Sequence, residues 1–442
     1  MIKTAYELSL ERIYKSSYVA PKTYNDLNSP VEFVSLDPII HKKPLEKTNA
    51  IKMIDKETIT YPNDMPELHW YGNFTSHSGF SRMNRTMVFG LANRFVRIKI
   101  DPQDCPIQIN EKTMTELNLF KNVEIDKAAP KIFGATIPLR TAHYGKKILY
   151  TMMENSGQLH KEYVDRINCY NEIWVPTNFN KKQFIESGVN PDIKIMPLGV
   201  DIARYKQDGD KYDFGVPLKS CVFLSVFKWN PRKGWDSLLK TFLTEFNSSD
   251  DVSLVIVSRV DVLHNQKKMI TDFENIRRTI NKEDHELPHV VLCDREIPER
   301  QMPSVYRAAN AFVLMTHGEG FCLPICEAAA TGIPIITTNC TAMTDYMNKE
   351  NSFLVDPDEY VEAKIGGSLS NLAKHCLFYE NQKFPYFGKN ALEQTMTYMR
   401  DIYENYNNAY SVGINLTNYI RENYSWNNSI DRVFEAVLQL KK

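Results

Sequence analysis

Two glutamates, Glu319 and Glu327, stand with seven residues between them in the stretch 311–341, AFVLMTHGEGFCLPICEAAATGIPIITTNCT. Ala311 to Met315 form a short apolar run, which Gly318 and Gly320 break. Phe321 to Ala330 are compatible with a helix, Gly332 and Pro334 end it, and Ile333 to Thr338 are β-rich again. The pattern is a βαβ unit with acids where an open α/β sheet binds its ligand. Paired carboxylates can serve as acid and nucleophile of a glycosidase. A carboxylate at a strand end can instead hold sugar hydroxyls, as acids do with ribose in dinucleotide sites. Glu327 can also be no more than a first-turn helix acid. Spacing alone leaves these readings open.

A second constellation is Lys228-Trp-Asn-Pro-Arg232-Lys233-Gly234, between an expected strand and an expected helix. Cations oppose the dipole at a helix N-terminus, so their presence calls for an anion held between them and the backbone N–H groups. Arg can grip a phosphate with two hydrogen bonds and Lys acts as a point charge. The plain alternative is a solvated helix start. The Gly/Ser-rich loop Gly72 to Arg82, with Gly79 and His77, lacks both the dinucleotide fingerprint and the P-loop ending, and an ordinary βα loop explains it as well. His143 and His317 are further candidates, His317 the better placed because it neighbours Glu319. Glu154 ends the run KKILYTMM and is expected to face a cleft; a helix-start acid is the alternative.

Strands are expected at 67–71, 95–100, 131–136, 147–151, 172–176 and 193–200, then at 221–227, 252–257, 290–292, 311–315, 333–338 and 352–355. Helices are expected between them, clearest over 234–246, where Trp235, Leu238, Leu239, Phe242, Leu243 and Phe246 recur at helical spacing. Beyond 355 the chain reads as helical over roughly 366–380, 389–411 and 428–441. Alternating strands and helices predict mainly parallel sheets in an α/β fold. The expected domains are an N-terminal extension at 1–65, an N-terminal unit at 66–205 joined by about 424–442, and a C-terminal unit at 206–423. The polar segment Asp201 to Ser220 is the expected hinge.

A chain of 442 residues exceeds one ordinary core, in keeping with two domains facing a cleft. The formal net charge of −1 gives no global attraction to nucleic acid or to an anionic membrane, though a local patch leaves peripheral membrane contact open. The eight cysteines form no metal-binding pattern, and they read as free thiols of a reducing compartment. The polar N-terminus lacks a signal sequence and no run is long enough to span a membrane, so a cytoplasmic location is expected.

The stretch HGEGFCLPICEAAATGIPII resembles the nucleotide-sugar signature of the retaining glycosyltransferases called family 4 or group 1. That pattern is Glu-Gly-Phe-Gly-Leu-Pro, two residues, then Glu-Ala-x-Ala-x-Gly-x-Pro; Cys322 here replaces a Gly. NEIWVPTNFNKKQFIESGV, IKIMPLGVD, SVFKWNPRKGWDSLL and Tyr424-Ser-Trp426 are also similar to the family, in order, over about 70–442. The resemblance implies the GT-B fold, two Rossmann-like domains with the last helix crossing back to the first. It implies transfer of a sugar from a nucleotide diphosphate sugar to a sugar-containing, lipid or small-molecule acceptor with the anomeric configuration kept, without a metal or other cofactor.

On that resemblance Lys233, with Lys228 or Arg232, neutralises the diphosphate. Glu319 meets the donor sugar and Glu327 the ribose. Gly320, Phe321, Cys322 and Leu323 face the sugar or phosphate, the segment ending at Ile297 meets the base, and Gly79 belongs to a mobile loop over the phosphates. Many members carry a His where this chain has Met153-Glu154, so Glu154, with His77 and His143, is a candidate contact to acceptor or sugar. The competing expectation is a non-catalytic nucleotide-sugar-binding scaffold of the same fold, motivated by Cys322 and the missing His.

Overall fold

The computed structural model describes residues 31–34, 65–103, 109, 111–136, 144–259, 266–294, 297–362, 379 and 382–440. Among these residues two parallel sheets carry the fold. Val31–Val34 forms β1. The N-terminal sheet comprises β2 (Glu67–Gly72), β3 (Arg97–Pro102), β4 (Lys131–Gly134), β5 (Lys147–Tyr150), β6 (Glu172–Val175) and β7 (Asp192–Ile195), in the order β3-β2-β4-β5-β6-β7. The C-terminal sheet comprises β8 (Cys221–Lys228), β9 (Val252–Arg259), β10 (His289–Cys293), β11 (Ala311–Leu314), β12 (Ile335–Thr338) and β13 (Phe353–Val355), with β1 added at its edge, in the order β1-β10-β9-β8-β11-β12-β13. Central strands such as β11 are buried along their whole length because helices cover both faces.

Strand order reverses between β2 and β4 in the first sheet and between β8 and β11 in the second. Such switch points open a crevice beyond the strands' C-terminal ends. The basic loop follows β8 and the Glu319 loop follows β11, so the topology sets these two loops side by side.

The helix Trp235–Glu245 buries Leu238, Leu239, Phe242 and Leu243, the stripe its periodicity predicts. The last helix, Trp426–Leu440, crosses back to the N-terminal domain. There Ile430 lies over Gly90 of the helix Gly79–Ala92, so close that any Cβ at Gly90 would overlap it, and Arg94 pairs with Asp431 at 2.6 Å.

Four expectations change. The hinge expected over 201–220 is instead packed on the C-terminal domain: Tyr205 and Phe214 are buried, and the Tyr212 N–H donates to the Ser304 carbonyl. Those aromatics are spread through a polar run, which hides them from a composition reading. The two chain crossings lie at Val200 and Ser425, joined by the Val200 N–H to the Tyr424 carbonyl at 2.8 Å and the Trp426 N–H to the Val200 carbonyl at 3.1 Å. The C-terminal remainder is not all helix: β14 (Glu359–Glu362) and β15 (Lys383–Tyr386) pair antiparallel. Val361 and Phe384 of this pair are buried among N-terminal side chains that include Phe133, Leu149 and Met153. The expected helix at 366–380 lies outside the described residues apart from Tyr379. The helix expected over 389–411 is two, Lys389–Glu404 and Tyr406–Asn423, separated where Asn405 leaves helical backbone geometry. Finally, the extension, read as a separate segment with short elements, contributes β1 to the edge of the C-terminal sheet.

Candidate active site

The basic loop is a single 3₁₀ turn, Pro231–Lys233, whose start is fixed by Asn230 accepting the Arg232 N–H at 2.9 Å. Gly234 then takes a left-handed φ of 60°, with the Met315 carbonyl oxygen where a Cβ would stand. This close approach delivers Lys233 and Arg232 to the end of β11. The Lys233 Nζ donates to Glu319 Oε1 at 2.5 Å, the Thr316 hydroxyl donates to the same oxygen at 2.9 Å, and Arg232 Nη1 lies 3.2 Å from it. Arg232 also donates to the Gly318 carbonyl and reaches Glu154 Oε1 of the N-terminal domain at 3.4 Å. The Tyr379 hydroxyl donates to the other Glu154 oxygen at 2.5 Å.

Glu319 is buried. Burial alone would raise its carboxyl, but the charges of Lys233 and Arg232 and the bonds from Lys233 and Thr316 outweigh it and hold the group below the ordinary range. Burial works against the Arg232 guanidinium too, and Glu154 and Glu319 more than restore its charge. The result is a compact cluster of two cations and two carboxylates contributed by both domains.

Glu327 sits on the helix Leu323–Ala330 and is buried. Tyr306 donates to its Oε2 at 2.7 Å, and Arg82 of the N-terminal domain pairs with its Oε1. Arg82 also lies 3.4 Å from Glu299 and 3.4 Å from the Tyr205 hydroxyl. The glycines of the Glu319 loop permit this closeness of the two domains. A Cβ at Gly318 would overlap the Glu154 carbonyl oxygen, and one at Gly320 would lie 2.5 Å from Met152 Cγ.

Glu319, Arg232, Lys233 and Glu154 are thus brought together, whereas Lys228 is exposed at the end of β8. Phe321 and Leu323 are buried beside the helix start, with the Phe321 carbonyl accepting from Tyr346 at 2.6 Å. Cys322 precedes that helix in a left-handed conformation, φ 76°, the geometry a Gly meets without strain. Its thiol is pushed up by burial and by the Glu319 charge. Gly79 and His77 are exposed on the first loop, where Ser78 caps the helix Gly79–Ala92. Ile297 is buried, whereas the two residues before it, and His143, lie outside the described residues.

His317 does not point the way its neighbour suggested. It is buried against β15, with its Nδ1 2.7 Å from the Pro385 carbonyl and its ring stacked on Phe387 at 4.8 Å. A carbonyl can only accept, so Nδ1 carries the proton. Burial lowers the basicity of this imidazole. Arg82, Thr316, Tyr306 and Tyr205 are site residues that the sequence reading missed. Arg82 had one signal, a lone cation closing a Gly/Ser loop at a helix start; the two tyrosines had none. Among the described residues no group of three or more His, Cys, Asp or Glu is arranged to hold a metal ion, and no helix is long and apolar enough to cross a membrane.

Residues 219–369 match the family Glycosyl transferases group 1. A D-inositol 3-phosphate glycosyltransferase from Acidothermus cellulolyticus is 27% identical over 191 residues, 42% of this chain and 41% of that protein. The match therefore spans less than half of that relative's length. Among solved structures, sucrose-phosphate synthase from Thermosynechococcus elongatus superposes with a TM-score of 0.62 at 13% identity, over 85% of this chain and 99% of that one. Anabaena HepE in complex with UDP and glucose superposes with a TM-score of 0.57 at 11% identity, over 85% and 100%. The chain has the GT-B fold of these structures, and its segment 219–369 is similar to the group 1 glycosyl transferases.

Proposed function

We propose that the chain transfers a sugar from a nucleotide diphosphate sugar to a hydroxyl acceptor, with the anomeric configuration kept. The observation that carries this reading is the convergence of Lys233, Arg232 and Glu319 at the switch point of the C-terminal sheet, beside the start of the helix Leu323–Ala330. HepE, of the same fold, was solved with UDP and glucose, which supports a donor of this chemistry.

In this reading Glu319 holds donor sugar hydroxyls and Glu327 the ribose hydroxyls. Arg232 and Lys233 face the diphosphate. As the bond from the anomeric carbon to the phosphate oxygen breaks, its electron pair leaves with the nucleotide diphosphate. The growing negative charge meets the two cations and the N–H groups at the helix start, a preorganised environment worth roughly 2–4 kcal/mol per contact. The acceptor oxygen attacks from the face the nucleotide leaves, and a phosphate oxygen takes its proton. Neither a protein nucleophile nor a metal is needed, because fixed cations supply the positive charge. Closure of the domains excludes water and limits donor hydrolysis.

The test is a panel of UDP-, GDP- and ADP-sugars. Thermal shift picks out the donor, since specific binding raises apparent stability. Transfer is then followed by product NMR, which reads the anomer, with and without EDTA. Retained configuration and unchanged rate in EDTA are expected; inverted product or loss of activity in EDTA overturns the mechanism. Cys322, left-handed where the family pattern has Gly, favours a second reading as a non-catalytic scaffold. Donor binding without transfer or hydrolysis would support it.

A further inference from the structure

Glu327, the residue read above as the ribose holder, is already engaged. Its Oε1 is paired with Arg82, which comes from the opposite domain, and its Oε2 accepts from Tyr306. Arg82 is mostly buried and boxed in by Glu299, the Tyr205 hydroxyl and the Tyr205 ring, whose centroid lies 5.8 Å away. A carboxylate has about four acceptor sites on its two oxygens; with Tyr306 on one oxygen and Arg82 on the other, a ribose diol must contend with the guanidinium for the side that Arg82 covers. Arg82 lies at position four of the helix that begins at Gly79, so its hold on Glu327 ties that helix and its Gly/Ser loop to the C-terminal domain.

We propose that Arg82 is an internal competitor for the donor's ribose site: its pairing with Glu327 holds the cleft shut, and a nucleotide takes Glu327 only by displacing it. This rests on the reading of Glu327 as the ribose contact. The displaced guanidinium stays at the mouth of the cleft, where its charge favours the diphosphate over a neutral nucleoside. Affinity in such a system is lowered by the fraction of molecules in which the contact is made. The same contact selects against ligands that lack a ribose diol, since these leave Arg82 in place.

The test is titration calorimetry of UDP, GDP and ADP, each against the wild type, Arg82→Met, Arg82→Gln, Glu327→Gln and the Arg82→Gln/Glu327→Gln double variant. The nucleotide that binds is expected to bind Arg82→Met about tenfold more tightly than wild type. Glu327→Gln weakens it, and in that background the Arg82 substitution has no further tightening effect. Equal or weaker binding by Arg82→Met, with Glu327→Gln weakened as expected, overturns the competitor and leaves the ribose reading standing. Wild-type affinity in Glu327→Gln overturns the ribose reading itself, and no binding by any variant overturns both. Should the Arg82 variants fail to fold, hydrogen exchange on the wild type decides. Amides at the start of the helix Gly79–Ala92 are expected to exchange faster when the nucleotide is added, and unchanged or slower exchange overturns the proposal.

Discussion

Glu319 and Glu327 lie on one loop-and-helix unit and both are buried, yet they are neutralised in different ways. Glu319 draws its counter-charge mainly from its own domain, from Lys233 at 2.5 Å and Arg232 at 3.2 Å. Glu327 draws its own from Arg82, across the cleft. The first pairing is built by strand order and a glycine turn and persists whatever the domains do. The second exists only while the domains are together. The difference separates a fixed charge centre, the one proposed to meet the diphosphate, from a contact that exists only while the cleft is closed.

The largest expected effect of breaking this comparison is on stability. Arg82→Met strands Glu327 as a buried carboxylate with only Tyr306 left, and should cost about 3–5 kcal/mol. Lys233→Met leaves Glu319 with Arg232 and the Thr316 hydroxyl, and should cost about 1.5–3 kcal/mol, the worth of a hydrogen bond to a charged group. Urea unfolding midpoints of the two variants should fall in that order. The reverse order would mean that closure contributes little to the ground state.

How much of this was legible follows from the same contrast. Lys233, Arg232 and Glu319 belong to motifs that follow strands β8 and β11, and the alternation of strands with helices places such loops at a switch point. That each loop lies at a strand end could be read from order and spacing; that the two meet follows from β8 lying beside β11, which the sequence pattern does not give. Arg82 meets Glu327 across 245 positions of chain, and no periodicity encodes which residues of two separate domains will face each other. The β14–β15 pair was missed for a related reason. Its strands are short, and what makes them strands is burial of Val361 and Phe384 against the other domain. The segment 201–220 read as a hinge because its charges outnumber the few aromatics that anchor it.

The pH dependence sharpens the comparison with a smaller effect. Glu319 has a lowered folded-state value, so its contribution is complete above the ordinary value of 4.5 and is lost as pH falls through the folded-state one. His317 is also lowered, from 6.5, by burial first. Its contribution is complete above that value, and stability declines as pH drops below it because the unfolded chain binds the extra proton. His317→Phe should flatten the decline beneath pH 6.5 in thermal melts and leave the acid limb of Glu319; an unchanged profile would remove His317 from the account.

The smallest effect concerns Cys322. Glycine accepts its left-handed backbone freely while valine does not, so Cys322→Gly should stay within about 1 kcal/mol of the wild type and Cys322→Val should fall below it by about 1–2 kcal/mol. Differential melting temperatures read this directly. Equal stability of the two variants would show that the backbone relaxes at this position.

The most direct measurement is turnover of the nucleotide-sugar panel by the wild type, Lys233→Ala and Glu327→Ala under identical conditions. The account predicts transfer or donor hydrolysis by the wild type and a fall in kcat of roughly a hundredfold or more for Lys233→Ala, since it removes a charge aimed at the departing diphosphate. For Glu327→Ala it predicts a loss expressed mainly in KM. Equal turnover by all three proteins would contradict it.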